Sequence, residues 1–178
     1  MIQKLINRYC QALSWLIVAC LALMVVLVFT NVVLRYAMNS GIAVSEELSR
    51  WLFVWLTFLG GIVAMNEGAH LGTDSLVSRL PLRGKKTCLF IGHLLMLYIC
   101  WLLFQGSLEQ VKINWDSTSA AMETSMALFY GCGLVFAVSG AVILLNQLWR
   151  LLSGQLSEAE LIGIRESEEE PLDLPKPL

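Results

Sequence analysis

Along this chain of 178 residues charge disappears for long stretches, and positions 9–34, 51–66, 87–108 and 124–149 hold no Asp, Glu, Lys or Arg. A helix needs about 20 residues to cross the hydrocarbon core of a bilayer, so the first, third and fourth runs suffice by length. The second is shorter. It reaches spanning length by drawing in positions 46–50 at one end and 67–70 at the other, provided their ionisable groups snorkel or pair. The pattern predicts an all-α integral membrane protein with four transmembrane helices, at about 10–35, 46–68, 87–108 and 124–149, in a membrane domain covering 1–150.

Composition supports that reading, because 57% hydrophobic and 15% charged residues and a mean hydropathy of +0.68 lie outside the range of soluble globular domains. From position 151 the sequence turns acidic and proline-containing, with too few apolar groups to order itself. Positions 151–178 are therefore expected to form a tail, helical at most around 157–164. The basic start and apolar run resemble a secretory signal, but the run is too long and lacks a small-x-small cleavage site, which predicts an uncleaved first helix.

Orientation follows from the basic residues. With the N-terminus inside, nine fall in the cytoplasm (Lys4, Arg8, Arg79, Arg83, Lys85, Lys86, Arg150, Arg165 and Lys176) and three outside (Arg35, Arg50 and Lys112). That bias places both termini, and the acidic tail, in the cytoplasm, although Arg165 and Lys176 lie too far from the membrane to weigh heavily. Trp15 and Trp149 then sit at the inner interface, and Tyr36, Trp51, Trp55 and Trp115 at the outer one.

Chemistry is sparse. The five cysteines, Cys10, Cys20, Cys88, Cys100 and Cys132, lie in or beside apolar runs without a CxxC, the pattern of packing residues. No nucleotide-binding glycine motif and no nucleophile, base and acid set is present, so neither ATP hydrolysis nor independent catalysis is expected. The expected partners include membrane lipid and exclude nucleic acid, and no cofactor or metal is assigned.

Candidate residues cluster at the ends of the second helix. Glu46 and Arg50 stand i,i+4 with the acid first, Ser45 is a suitable N-cap, and Glu47 adds a second acid to the first turn. This arrangement either simply starts the helix or forms an anchor for docking or another subunit. At the far end Glu67, His70 and Asp74 share a face, superficially a metal half-site; Gly68 and Gly72 weaken that helix, and a His70 to Asp74 hydrogen bond fits better. His93 is expected to pack with its ring hydrogen-bonded. Gly60, Ala64 and Gly68, and likewise Gly133, Ala137 and Ala141, repeat every fourth residue and offer seams for close helix approach, within this chain or to another subunit.

The segments RYAMNSG (35–41), EELSRWLFVWLTFLGG (46–61) and EGAHLGTD (67–74) together resemble the small four-helix membrane subunit of tripartite ATP-independent periplasmic (TRAP) transporters. Matching positions are Arg35 and Asn39 after the first helix, Glu46, Glu47, Arg50, Phe53 and Trp55 opening the second, and His70 and Asp74 closing it. Met38, Val44 and Asn66 depart from the family's usual residues. The resemblance implies a bacterial inner-membrane subunit that carries no solute itself. It would scaffold a large TRAP membrane subunit that binds substrate and sodium, and help form the docking surface for a periplasmic substrate-binding protein that delivers an organic acid. The acidic tail suggests a separately encoded subunit.

Two other readings are weighed against it. A small multidrug exporter also has four helices, but its mechanism needs a membrane-embedded acid, and the first, third and fourth runs contain none. A cytochrome b-type membrane anchor would use His70 and His93 as haem ligands, and a Soret band would reveal it.

Overall fold

The structure is a computed structural model, which describes residues 2–67 and 82–153. These residues form four helices with the length and apolarity to cross a membrane: α1 (Ile2–Met38), α2 (Ala43–Asn66), α3 (Leu82–Ile113) and α4 (Ala127–Leu152). The all-α, four-span expectation holds. The acidic tail, His70 and Asp74 lie outside the described residues.

Helix limits differ from the hydropathy runs for a physical reason. No Gly or Pro occurs before position 41, so nothing breaks the backbone ladder where the apolar run ends, and α1 continues through Arg8 and Lys4 to Ile2. Its 37 residues extend about 56 Å at 1.5 Å per residue, well beyond a hydrocarbon core of about 30 Å. The helix stops at Asn39, whose backbone turns left-handed (φ 51°), a conformation Asn tolerates better than most residues. After three further residues α2 begins at Ala43, ahead of the expected start at 46.

α2 and α4 hold the centre, with α1 packed mainly on α2 and α3 mainly on α4. One apolar cluster joins Ile6, Cys10 and Leu13 of α1 to Leu59 and Ile62 of α2 and Ile143 of α4. A second joins Met65, Cys100 and Leu144. Small residues permit this approach: a Cβ at Gly61 would stand 2.8 Å from the ring of Phe136, and one at Gly133 would run into the side chain of Ser107. Ala137 is buried in the same seam. The expected seam on α4 is therefore present. On α2 it falls on Gly61, whereas a Cβ at Gly60 meets nothing within 4 Å.

Candidate functional site

The α1–α2 turn and the α3–α4 connection lie at the same end of the helices, and consecutive acids of α2 bind one each. On the first side Asn31, an amide inside the apolar run of α1, reaches across to the start of α2. Its Oδ1 accepts the Ile42 N–H at 2.8 Å and its Nδ2 donates to Glu46 Oε1 at 3.0 Å. Arg35, one turn further along α1, forms an ion pair with the same Glu46 oxygen at 2.5 Å. Ser45 donates to the Leu27 carbonyl (3.0 Å) and Ser49 to the Ser45 carbonyl (2.7 Å). Asn31, Ser45 and Ser49 are buried.

Two expectations are corrected here. Glu46 pairs with Arg35, not with Arg50, because the tight turn at 39–42 returns the α1 guanidinium to the acid before its helical neighbour can claim it. Ser45 is not the N-cap, which is Ile42. Its hydroxyl ties α2 to the backbone of α1, and Asn31 satisfies an amide at the open helix end.

On the second side Glu47 Oε2 accepts two successive backbone amides of the connection, Ala121 N–H at 2.7 Å and Met122 N–H at 3.2 Å. The next residue, Glu123, has φ 52°. Successive amides beside a left-handed residue form an anion-binding concavity, and the carboxylate of α2 occupies it. The Ser119 hydroxyl is buried beside this carboxylate, close enough to act on its charge but outside hydrogen-bond geometry. The connection also binds itself: Ser119 N–H donates to Thr124 O (2.9 Å), Met126 N–H to Ser117 O (2.8 Å), and Ser125 Oγ to Trp115 O (2.7 Å).

The remaining predicted residues distribute around this end. Arg50 is exposed and acts on Glu47 only through its charge. Trp51 is buried against Phe129, ring centres 5.7 Å apart. Trp55 is half-buried and packs on the first apolar cluster; Ala64, one turn past Gly60, is half-buried too. Asn39 acts through its backbone at the end of α1. His93 makes the expected packing contacts: Nδ1 donates to the Leu89 carbonyl (2.7 Å), and Nε2 lies 3.3 Å from Gln147 Oε1.

Two openings adjoin these residues. A cleft of about 290 Å³ between α1 and α2 is lined by Asn31, Arg35, Ser45, Glu46 and Ser49. A larger apolar groove of about 640 Å³ runs past Trp55, Val111, Trp115, Leu128 and Gly131, with no ionisable side chain in its lining. Neither assembles a nucleophile, base and oxyanion donor set. Sequence reading missed Asn31. Its signal was available as a lone amide inside an apolar span, where an unpaired polar group is costly.

Comparison with known proteins gives this arrangement its context. The family described as "Tripartite ATP-independent periplasmic transporters, DctQ component" matches residues 24–154. A Haemophilus influenzae protein named as a TRAP transporter small permease is 38% identical over 148 residues, covering 83% of this chain and 92% of that one. The C4-dicarboxylate TRAP transporter small permease protein DctQ of Vibrio cholerae is 29% identical over 94 residues, 53% of this chain and 40% of its own. Similarity of 26% over 114 residues, 63% of this chain, extends to the isethionate TRAP transporter permease protein DctMQ of Oleidesulfovibrio alaskensis, of which it covers only 17%. The chain is thus a multi-pass membrane protein and a transport component, not an enzyme. It belongs to the DctQ family, the small permease subunits of TRAP transporters.

Proposed function

We propose that this subunit scaffolds the large membrane subunit of a sodium-driven TRAP transporter for an organic acid, and that its Glu46–Glu47 end forms part of the docking surface for a periplasmic binding protein. The chain would lie in the bacterial inner membrane with both termini in the cytoplasm. The observation that carries the proposal is the pair of consecutive acids, one fastening the α1–α2 turn and the other the α3–α4 connection, so that a single helix start organises the whole end. The acids of the described helices all stand near helix ends (Glu46, Glu47 and Glu109), leaving no mid-span carboxylate to coordinate a cation. Solute and sodium would therefore be handled by the large subunit. The fused DctMQ relative supports that partnership, since its matching part is a small fraction of a longer permease chain. The C4-dicarboxylate and isethionate relatives support an organic acid as solute.

Reconstitution tests this directly. Liposomes holding this chain alone, with an inward sodium gradient, should accumulate no organic acid. Adding the large subunit and loaded binding protein should give uptake, and omitting this chain from the full mixture should abolish or strongly reduce it. Saturable sodium-driven uptake by the isolated chain would overturn the scaffold role, and undiminished uptake without it would show that the scaffold is not required.

A further inference from the structure

We infer that Glu47 is a positioning residue, holding the connection at 114–126 in the shape that a periplasmic binding protein meets; the inference rests on the docking role proposed above. The connection presents its side chains outward: Trp115, Asp116, Ser117, Thr118, Glu123 and Thr124 are exposed. Its internal hydrogen bonds close the neck, around Ser117, Ser119, Thr124 and Met126. One further internal bond reaches the tip, from Thr124 Oγ1 to the Met122 carbonyl (3.1 Å), but it leaves the tip amides untouched. Among the described residues, the hydrogen bonds that hold the tip from outside the connection are the two that Glu47 accepts from Ala121 and Met122.

A carboxylate suits this task. Bonds from amides to an ionised acceptor are stronger than neutral ones, and two successive amides fix both position and rotation of the tip. Successive residues on a helix are about 100° apart, so Glu46 and Glu47 cannot serve the same neighbour. One is committed to α1 and the other to the connection. Without Glu47 the amide pair would turn to water, and the tip would have to be ordered when a partner docks, which weakens docking. The partner's contacts themselves need not involve Glu47, which is half-buried with its carboxylate turned to the Ala121 and Met122 amides.

The experiment uses the complex of this chain with its large subunit in lipid vesicles, titrated with loaded binding protein. Glu47→Ala should raise the binding-protein concentration for half-maximal uptake about tenfold, the scale of one charge-assisted hydrogen bond, with a smaller change in the maximal rate. Glu47→Gln, whose amide oxygen can still accept both N–H groups but without the charge, should fall between Glu47→Ala and the wild type. Ala121→Pro removes the nearer donor without altering α2 and should shift the same parameter; the double variant should be no worse than Glu47→Ala alone. A nitroxide on Ala120→Cys, an exposed position beside the clamped amides, should become more mobile in Glu47→Ala and Ala121→Pro alike. Unchanged label mobility overturns the clamp, and a mobile label with unchanged half-saturation overturns its role in docking. Should Glu47→Ala fail to assemble, Ala121→Pro decides by the same two readouts. A wild-type complex whose uptake does not depend on the binding protein overturns the docking role itself, independently of Glu47.

Discussion

Asn31 contributes more to the α1–α2 turn than the ion pair beside it. The Arg35 and Glu46 side chains are 62% and 44% exposed, and pairs of that kind stabilise by about 0–1 kcal/mol. Asn31 is 8% exposed, and truncating it leaves the Ile42 amide and one Glu46 bond unmet, at a cost of about 1–3 kcal/mol. Asn31→Ala should therefore lower the thermal midpoint of the detergent-solubilised protein more than Arg35→Ala does; the reverse order in a thermal-denaturation series would refute this ranking. The sequence reading grouped Glu46 and Glu47 with Arg50, named Arg35 separately, and so misassigned the partner of Glu46. Helical spacing reveals neighbours within α2, whereas the competing guanidinium arrives from α1 through a turn whose closure depends on Asn39 adopting a left-handed backbone. Asn31 stayed hidden because, uncharged, it did not interrupt the apolar run that defined the span.

At the scale of the helices, two adjacent glycines should behave oppositely. A Cβ at Gly60 meets nothing within 4 Å, so Gly60→Ala should stabilise the isolated chain by up to about 1 kcal/mol through helix propensity alone. Gly61→Leu should destabilise it, because even the first carbon stands 2.8 Å from Phe136, a ring already packed edge-on against Phe58. Thermal melts of the two variants check the contrast, and equal midpoints would mean that α2 and α4 do not meet at Gly61. Gly60→Leu adds a test of what the open face is for. If Gly60 and Ala64 meet the large subunit, this variant should remain folded alone yet recover less of that subunit in a mild-detergent pull-down; full recovery would place the contact elsewhere. The count and order of helices were legible because uncharged runs of that length have one economical solution in a bilayer. Their ends and the phase of α2 were not, since hydropathy marks where a chain leaves lipid rather than where its hydrogen-bond ladder stops, and adjacent glycines give the same small-residue signal on faces about 100° apart.

For the molecule as a whole, the functional proposals depend on which side of the membrane the Glu46–Glu47 end faces. The α1–α2 turn and the α3–α4 connection share that end, and it carries Arg35, Arg50 and Lys112 against the nine remaining basic residues assigned to the other side or the tail. Short basic loops are retained in the cytoplasm, so the connection should face the periplasm and the start of α3 the cytoplasm. In a background lacking the five native cysteines, Ser117→Cys should react with a membrane-impermeant maleimide in intact cells, and Lys86→Cys only after permeabilisation. Both positions are exposed in the isolated chain, so protection at either would report the membrane or the bound large subunit rather than burial within this chain. The opposite labelling pattern would put the clamped end in the cytoplasm, out of reach of any periplasmic protein. The same result would remove docking from the proposed function and leave Glu46 and Glu47 the task of fastening the helices together.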